Sequence, residues 1–202
     1  MKNLKLWFLG CCALLCACSQ QTDSTTNTNE YGTNWKWNQG TIVVESPERP
    51  AGQKSVLGLT VPKMEVVRVG FVGLGMRGPG AVERFTHIPG TQVVALCDYE
   101  KERAEKCQRF LKKASMPKAA VYYGEKGYEE LCQRQDIDLV YVAADWMHHF
   151  PVAECALKNG KHVAIEVPSA MNLQQCWDLI NLSEKNQLHC MILENCCYDW
   201  FE

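Results

Sequence analysis

Between residues 66 and 194, six short apolar runs alternate with longer amphipathic stretches, and that rhythm admits few architectures. The runs cover residues 66–72, 92–97, 120–123, 137–143, 162–166 and 190–194. They are rich in Val, Ile and Leu on consecutive positions, which predicts strands covered on both faces. The stretch 100–112 places Ala104, Cys107 and Leu111 on one side and its Glu and Lys residues on the solvated side. Leu173, Cys176, Leu179 and Ile180 form a second helical stripe, with Asn172 and Gln175 spaced as an N-terminal cap. Buried strands joined by amphipathic helices predict an α/β fold, a doubly wound parallel sheet. Its ligand lies beyond the carboxyl ends of the strands.

The first run ends in Gly73-Leu74-Gly75-Met76-Arg77-Gly78, and Asp98 closes the second. A G-x-G-x-x-G carries little weight alone. Here it follows a strand, opens a helix and has an acidic residue about 20 positions on, which is the context of a dinucleotide-binding loop. Gly73 suits the tight turn, Gly75 lets a pyrophosphate approach the backbone, and Gly78 lets helix and strand pack closely. The helix N-terminus offers free N–H groups to phosphates. Asp98 is expected to accept from the adenosine ribose hydroxyls and to repel a 2′-phosphate, which favours NAD over NADP.

The chain has 202 residues and a formal net charge of -2, which suits one globular unit with appendages. No basic run marks nucleic acid as a partner. Lys2 and Lys5 precede an apolar run at residues 6–15 that is too short to span a bilayer, so residues 1–17 read as a secretion leader. The leader ends in Leu15-Cys16-Ala17-Cys18, which resembles a bacterial lipobox. The resemblance implies cleavage before Cys18, lipidation of its thiol and a membrane anchor on an exported protein. Residues 18–60 then read as a disordered tether and arm, in which Trp35, Trp37, Ile42, Val43 and Val44 could dock on the domain at 61–202.

Of 12 cysteines, Cys11, Cys12, Cys16 and Cys18 lie in the leader. Cys97, Cys107, Cys132, Cys155, Cys176, Cys190, Cys196 and Cys197 remain. None forms a C-x-x-C pair, and most fall in strands or on helix core faces. They are expected as small buried hydrophobes, with disulfides open in an exported protein. The adjacent His148 and His149 point in different directions, with no carboxylate motif beside them, so no metal site is expected.

A longer motif runs from His149 through Ala156-Leu157, Gly160-Lys161-His162-Val163 and Glu166-Val167-Pro168. It resembles the H-x6-A-L-x-x-G-K-H-V-x-x-E-K-P stretch of the Gfo/Idh/MocA oxidoreductases, which set an NAD-binding Rossmann domain before an α+β substrate domain. Val167 stands where that family has a lysine that positions or polarises the sugar hydroxyl, which weakens the reading as a sugar dehydrogenase. The same departure, with Gly78-Pro79-Gly80 and Leu193-Glu194-Asn195-Cys196-Cys197-Tyr198, is similar to glycoside hydrolase family 109, the NAD-dependent α-N-acetylgalactosaminidases. This narrower resemblance covers residues 61–202.

The resemblance implies NAD contacts from Met76, Arg77, Asp98, Trp146, Met147, His148, His149, Glu166, Val167 and Asn195. It also implies an N-acetylgalactosamine-containing glycan as substrate, cleaved through oxidation at the sugar, elimination, addition of water and reduction. Catalytic residues are expected beyond Glu202, in the family's substrate domain, so these residues are expected to bind NAD without cleaving glycosides. A sugar dehydrogenase and a non-catalytic, lipid-anchored NAD-binding fragment stay as alternatives, and homo-oligomerisation is left open. Trp146 could flank the cofactor or fill the core. His149 could face the crevice or bond backbone at a helix start. Glu166 reads as a cofactor contact rather than a general acid. The Cys196-Cys197 pair reads as packing, and Tyr198 as a weak candidate for the sugar.

Overall fold

The computed structural model describes residues 27–28, 34–44 and 48–195. The leader, Cys18, Cys196, Cys197 and Tyr198 lie outside the described residues. The first three strands, β1 (Asn27–Thr28), β2 (Asn34–Asn38) and β3 (Thr41–Val44), pair antiparallel in a small sheet of their own. Gln39 and Gly40 join β2 to β3 with φ of 49° and 82°, the two left-handed residues of a tight hairpin.

The remaining elements alternate as the apolar rhythm requires. They are β4 (Val67–Val72), α1 (Gly78–Phe85), β5 (Thr91–Asp98), α2 (Lys101–Lys113), β6 (Ala120–Tyr123) and α3 (Gly127–Cys132). Then follow β7 (Leu139–Val142), α4 (Trp146–Lys158), β8 (His162–Glu166), α5 (Leu173–Asn186) and β9 (Cys190–Leu193). All six long-range strands run parallel in the order β6-β5-β4-β7-β8-β9. The doubly wound expectation therefore holds, strand by strand.

Successive residues of each strand enter opposite cores. Phe71, Leu96 and Tyr141 meet Ala81 and Val82 of α1 and Ala104, Cys107 and Leu111 of α2. Val72, Cys97, Val142 and Ile165 meet Leu131 of α3, Val152, Ala156 and Leu157 of α4, and Leu179 of α5. Phe71 stacks on Tyr141 at 5.1 Å, with the Phe85 ring edge-on to both. Each fully buried large side chain contributes about 1.5–3 kcal/mol by leaving water. At α5 the cap forms as spaced: Asn172 Oδ1 accepts from Gln175 N at 2.9 Å, and Gln175 Oε1 accepts from Met171 N at 2.8 Å. Ile180 departs from its expected stripe and is exposed, because α5 turns Leu179 rather than its neighbour toward the sheet.

Trp37, Ile42 and Val44 are exposed, and the part of 18–60 that docks is polar. Arg49 Nε and Nη2 donate to both oxygens of Glu184 at 2.8 and 2.9 Å. Gln53 Nε2 reaches Asn181 and Glu184, each at 2.9 Å, and Gln187 Nε2 donates to Lys54 O at 2.9 Å. Gln53 and then Arg49 hold the Glu184 carboxyl below its usual range. Removing the fork in Arg49→Ala is expected to free this segment, so a broad-specificity protease should cut within residues 48–56 severalfold faster while the far-ultraviolet dichroism stays unchanged. Equal cleavage rates would show that the fork does not hold the segment down.

Candidate functional site

Chain order sends β5 to one side of β4 and returns β7 to the other, so a crevice opens where their carboxyl ends diverge. A cavity of about 1130 Å³ occupies it, lined from Gly73 through Asp98, Asp145 and Glu166 to Asn195. That volume suits an organic ligand of cofactor size.

The glycine loop forms one wall. Gly73 turns at φ 91° with its N–H on Cys97 O at 2.9 Å, and a Cβ there would overlap the backbone of Ala143 and Ala144. A Cβ on Gly78 would overlap Gly73 O, which is the close helix–strand approach expected of it. A Cβ on Gly75 would meet only the tip of Arg103 at 3.6 Å, so that backbone faces open space. No side chain caps the start of α1, which leaves its first N–H groups for a ligand. Met76 stands 95% exposed at the rim, and Arg77 Nη2 donates to Asn195 Oδ1 at 3.2 Å. Two expected contacts, 118 residues apart, thus meet across the crevice mouth.

Asp98 sits at the end of β5 and does more than the sequence shows. Its Oδ2 accepts from Leu74 N at 2.6 Å, its Oδ1 accepts from Glu100 N at 3.0 Å, and Arg103 Nη1 lies 3.6 Å away. At 6% exposure it lines the cavity and ties the glycine loop to the turn before α2.

On the opposite wall Asp145 caps α4, accepting from Met147 N at 3.0 Å and His148 N at 3.3 Å, while its Oδ2 meets His148 Nδ1 at 2.7 Å. Burial pushes its carboxyl up, but the bonds from His148 and the two amides outweigh this and leave it below its ordinary value. Trp146 is 62% exposed on the cavity rim beside Met147, so it does not fill the core. His149 is the residue the structure moves. It does not line the cavity: it is 2% exposed, its Nδ1 donates to Pro168 O at 2.7 Å, and its Nε2 has no partner among the described residues. Neighbours on a helix point about 100° apart, so the turn that brings His148 to the crevice buries His149. Its work is to hold the segment after β8 in place.

Glu166 and Val167 line the crevice. Glu166 Oε1 accepts from Tyr141 Oη at 2.7 Å. Burial, then the Glu166 carboxylate, pushes the Tyr141 hydroxyl up to about 12, so it stays a donor and fixes one carboxylate oxygen. Sequence reasoning missed Tyr99, Arg103, Gly124, Glu125, Tyr128 and Met171 on the cavity wall. Only Arg103 carried a signal, as a cation in the first turn after Asp98. Among the described residues no three His, Cys, Asp or Glu side chains gather as metal ligands.

The open Gly75 backbone, the uncapped α1 and the acidic end of β5 fit a dinucleotide, with the pyrophosphate on the loop and the ribose at Asp98. Sheet order and site together define a dinucleotide-binding Rossmann domain. Residues 67–193 match the oxidoreductase family with an NAD-binding Rossmann fold known as Gfo/Idh/MocA, and the chain belongs to that family. Its cofactor is NAD. A protein named Glycosyl hydrolase family 109 protein 4, from Phocaeicola vulgatus, is 75% identical over 203 residues, covering 100% of this chain and 39% of the relative. The chain thus spans well under half the length of that relative. Among solved structures, myo-inositol dehydrogenase from Lactobacillus casei in complex with NAD(H) and myo-inositol is 29% identical. Its TM-score is 0.51, with 58% of this chain and 33% of that chain covered. A 3-ketoreductase from Actinomadura kijaniata in complex with NADP is 27% identical, with a TM-score of 0.54 and coverage of 63% and 38%.

Proposed function

We propose that this chain is the NAD-binding part of a family 109 glycosidase acting on α-N-acetylgalactosaminides. The observation that carries the reading is the 75% identity to a protein of that name across the whole chain. It is supported by Val167 on the cavity wall, where the dehydrogenases it resembles have a lysine for the sugar hydroxyl. Bound NAD supplies reversible hydride transfer. The chain's own residues orient it: the glycine loop and α1 hold the pyrophosphate, Asp98 the adenosine ribose, and Arg77 with Asn195 the mouth. Trp146 and Met147 stand at the rim of the crevice, while Tyr141 holds one oxygen of the Glu166 carboxylate on its wall.

In a protein carrying this chain, cleavage of an α-N-acetylgalactosaminide is expected to require NAD and to leave no net NADH. Accumulation of NADH with free sugars and no glycoside cleavage would mark a sugar dehydrogenase instead. A protein that cleaves the glycoside at full rate after complete removal of NAD would overturn both readings.

Residues 1–17 act, on the same proposal, as a secretion leader, and Cys18 is the lipidated residue that anchors the exported protein. A single acyl chain binds a membrane only marginally and stable anchoring takes more than one, each buried methylene adding about 0.8 kcal/mol. Cys18→Ser is therefore expected to move the protein from the membrane fraction to the soluble one. Unchanged partition would remove the lipid anchor.

A further inference from the structure

β9 closes one edge of the sheet and pairs with β8 alone. Met191 and Ile192 on it are exposed, so apolar burial holds it less firmly than the inner strands. Its carboxyl end runs into Asn195, which lines the cavity and accepts from Arg77 across the mouth. Its amino end, on the far side of the sheet from the crevice, is fastened by two histidines. There His189 N donates to His162 Nδ1 at 3.0 Å, and Val163 N donates to His189 O at 2.9 Å. The two imidazole rings lie 5.2 Å apart.

The bond from His189 dictates the state of His162. An imidazole nitrogen accepts only while it carries no proton, so Nδ1 is bare and the hydrogen of the neutral ring sits on Nε2. The imidazolium carries hydrogen on both nitrogens, and Nδ1–H would face the His189 N–H, donor against donor. The surrounding charges do little to favour the cation. His189 brings a second ring that gains charge in acid, and Lys161, the residue before His162, is already a cation. Asp138, at the start of β7, is the facing carboxylate, and the Arg68 guanidinium already engages it at 2.6 and 2.9 Å. Burial, then the His189 ring, holds His162 below the ordinary imidazole value, with Asp138 pulling weakly the other way.

We propose that His162 and His189 form an acid-released latch: protonation of His162 frees the start of β9 and, through that strand, loosens Asn195 at the mouth of the NAD crevice. A histidine held neutral when the strand is docked and released when it opens costs stability as the pH falls through its free value, about 6.5. Above that value the latch is shut. One unit below it, the open form gains by up to about tenfold. β9 yields before the rest of the sheet because it has a neighbour on one side only. The latch rests on the NAD site and does not depend on the glycosidase reading.

Hydrogen exchange of the 202-residue chain tests it, read as protection factors so that the intrinsic pH dependence of exchange is divided out. Between about pH 7.5 and about pH 5.5, protection over residues 189–193 is expected to fall by up to about tenfold, while β4 and β7 keep theirs. Affinity for NAD, titrated over the same interval, should fall severalfold. His162→Asn sets an amide oxygen near the place of Nδ1 and cannot take up a proton, so both readouts should stay level. His189→Ala keeps the backbone donor and removes the second ring, so the acid response should shrink without vanishing. Equal protection of wild-type β9 at the two pH values would overturn the proposal. So would a His162→Asn variant as acid-sensitive as the wild type, or a β9 that opens while NAD affinity holds constant.

Discussion

Gly73→Ala is expected to cost about 3 kcal/mol of stability or more, enough to leave much of the chain unfolded or insoluble. The residue turns at φ 91°, where a side chain is strained, and its Cβ would fall into the backbone of Ala143 and Ala144 at the end of β7. Backbone cannot rotate away as a side chain can, so β4 and β7 would have to separate at the sheet's centre. Gly75→Ala should behave oppositely. Its φ lies outside the left-handed region, and the new methyl meets only Arg103 Nη1 at 3.6 Å, so urea denaturation should shift by no more than about 0.5 kcal/mol. NAD affinity should nevertheless fall about tenfold or more, or roughly 1.4 kcal/mol, because the methyl occupies the space the pyrophosphate needs. Titration of the folded Gly75 variant with NAD decides it: wild-type affinity would place the phosphates somewhere other than this loop.

The same contrast shows what could be read before any coordinates. Runs of Val, Ile and Leu mark the inner strands β4, β5, β7 and β8, which are covered on both faces, whereas the edge strands β6 and β9 leave Tyr123, Met191 and Ile192 exposed; residues 120–123 form β6. The glycine spacing gave Gly73, Gly75 and Gly78 their roles because those roles are local to one loop. The hairpin of β2 and β3 was legible in principle, since Gln39-Gly40 between alternating residues is a turn signal, but the polar stretch before it suggested a tether. The short helix α3, with six residues, offers too little length for a 3.6-residue period to register. The site's outer wall was hidden for another reason. Tyr99, Gly124 and Met171 meet only because strand order brings three loops together. His149 turns inward with the buried stripe of Val152, Ala153 and Ala156 on α4, and the acceptor it finds there, Pro168 O, lies 19 residues away.

Asp98 separates shape from charge most cleanly, because two substitutions should fail in different ways. In Asp98→Ala, Leu74 N–H loses its acceptor beneath a side chain that is itself buried, and Glu100 N–H loses a partner too. An orphaned buried donor costs about 1–3 kcal/mol, so the glycine loop should loosen and stability and NAD affinity should fall together. Asp98→Asn keeps the volume and one oxygen to accept from Leu74, but its amide nitrogen then faces Glu100 N–H, so that one bond is lost and only part of the cost of Asp98→Ala should appear. What it loses is the negative charge beside the ribose, while Arg103 stays within reach. A carboxylate can accept about four hydrogen bonds, and the protein uses only part of that capacity, so the ribose hydroxyls can share it. A 2′-phosphate cannot, since like charges a few ångströms apart repel strongly even at a protein surface. The asparagine variant is therefore expected to shift its NAD-to-NADP preference toward NADP by about tenfold, close to 1.4 kcal/mol. Paired titrations with the two cofactors measure this directly. If Asp98→Asn rejects NADP as firmly as the wild type, the discrimination belongs to another group, and Glu100, bonded to Arg103 at 3.1 Å on the same turn, is the next to change.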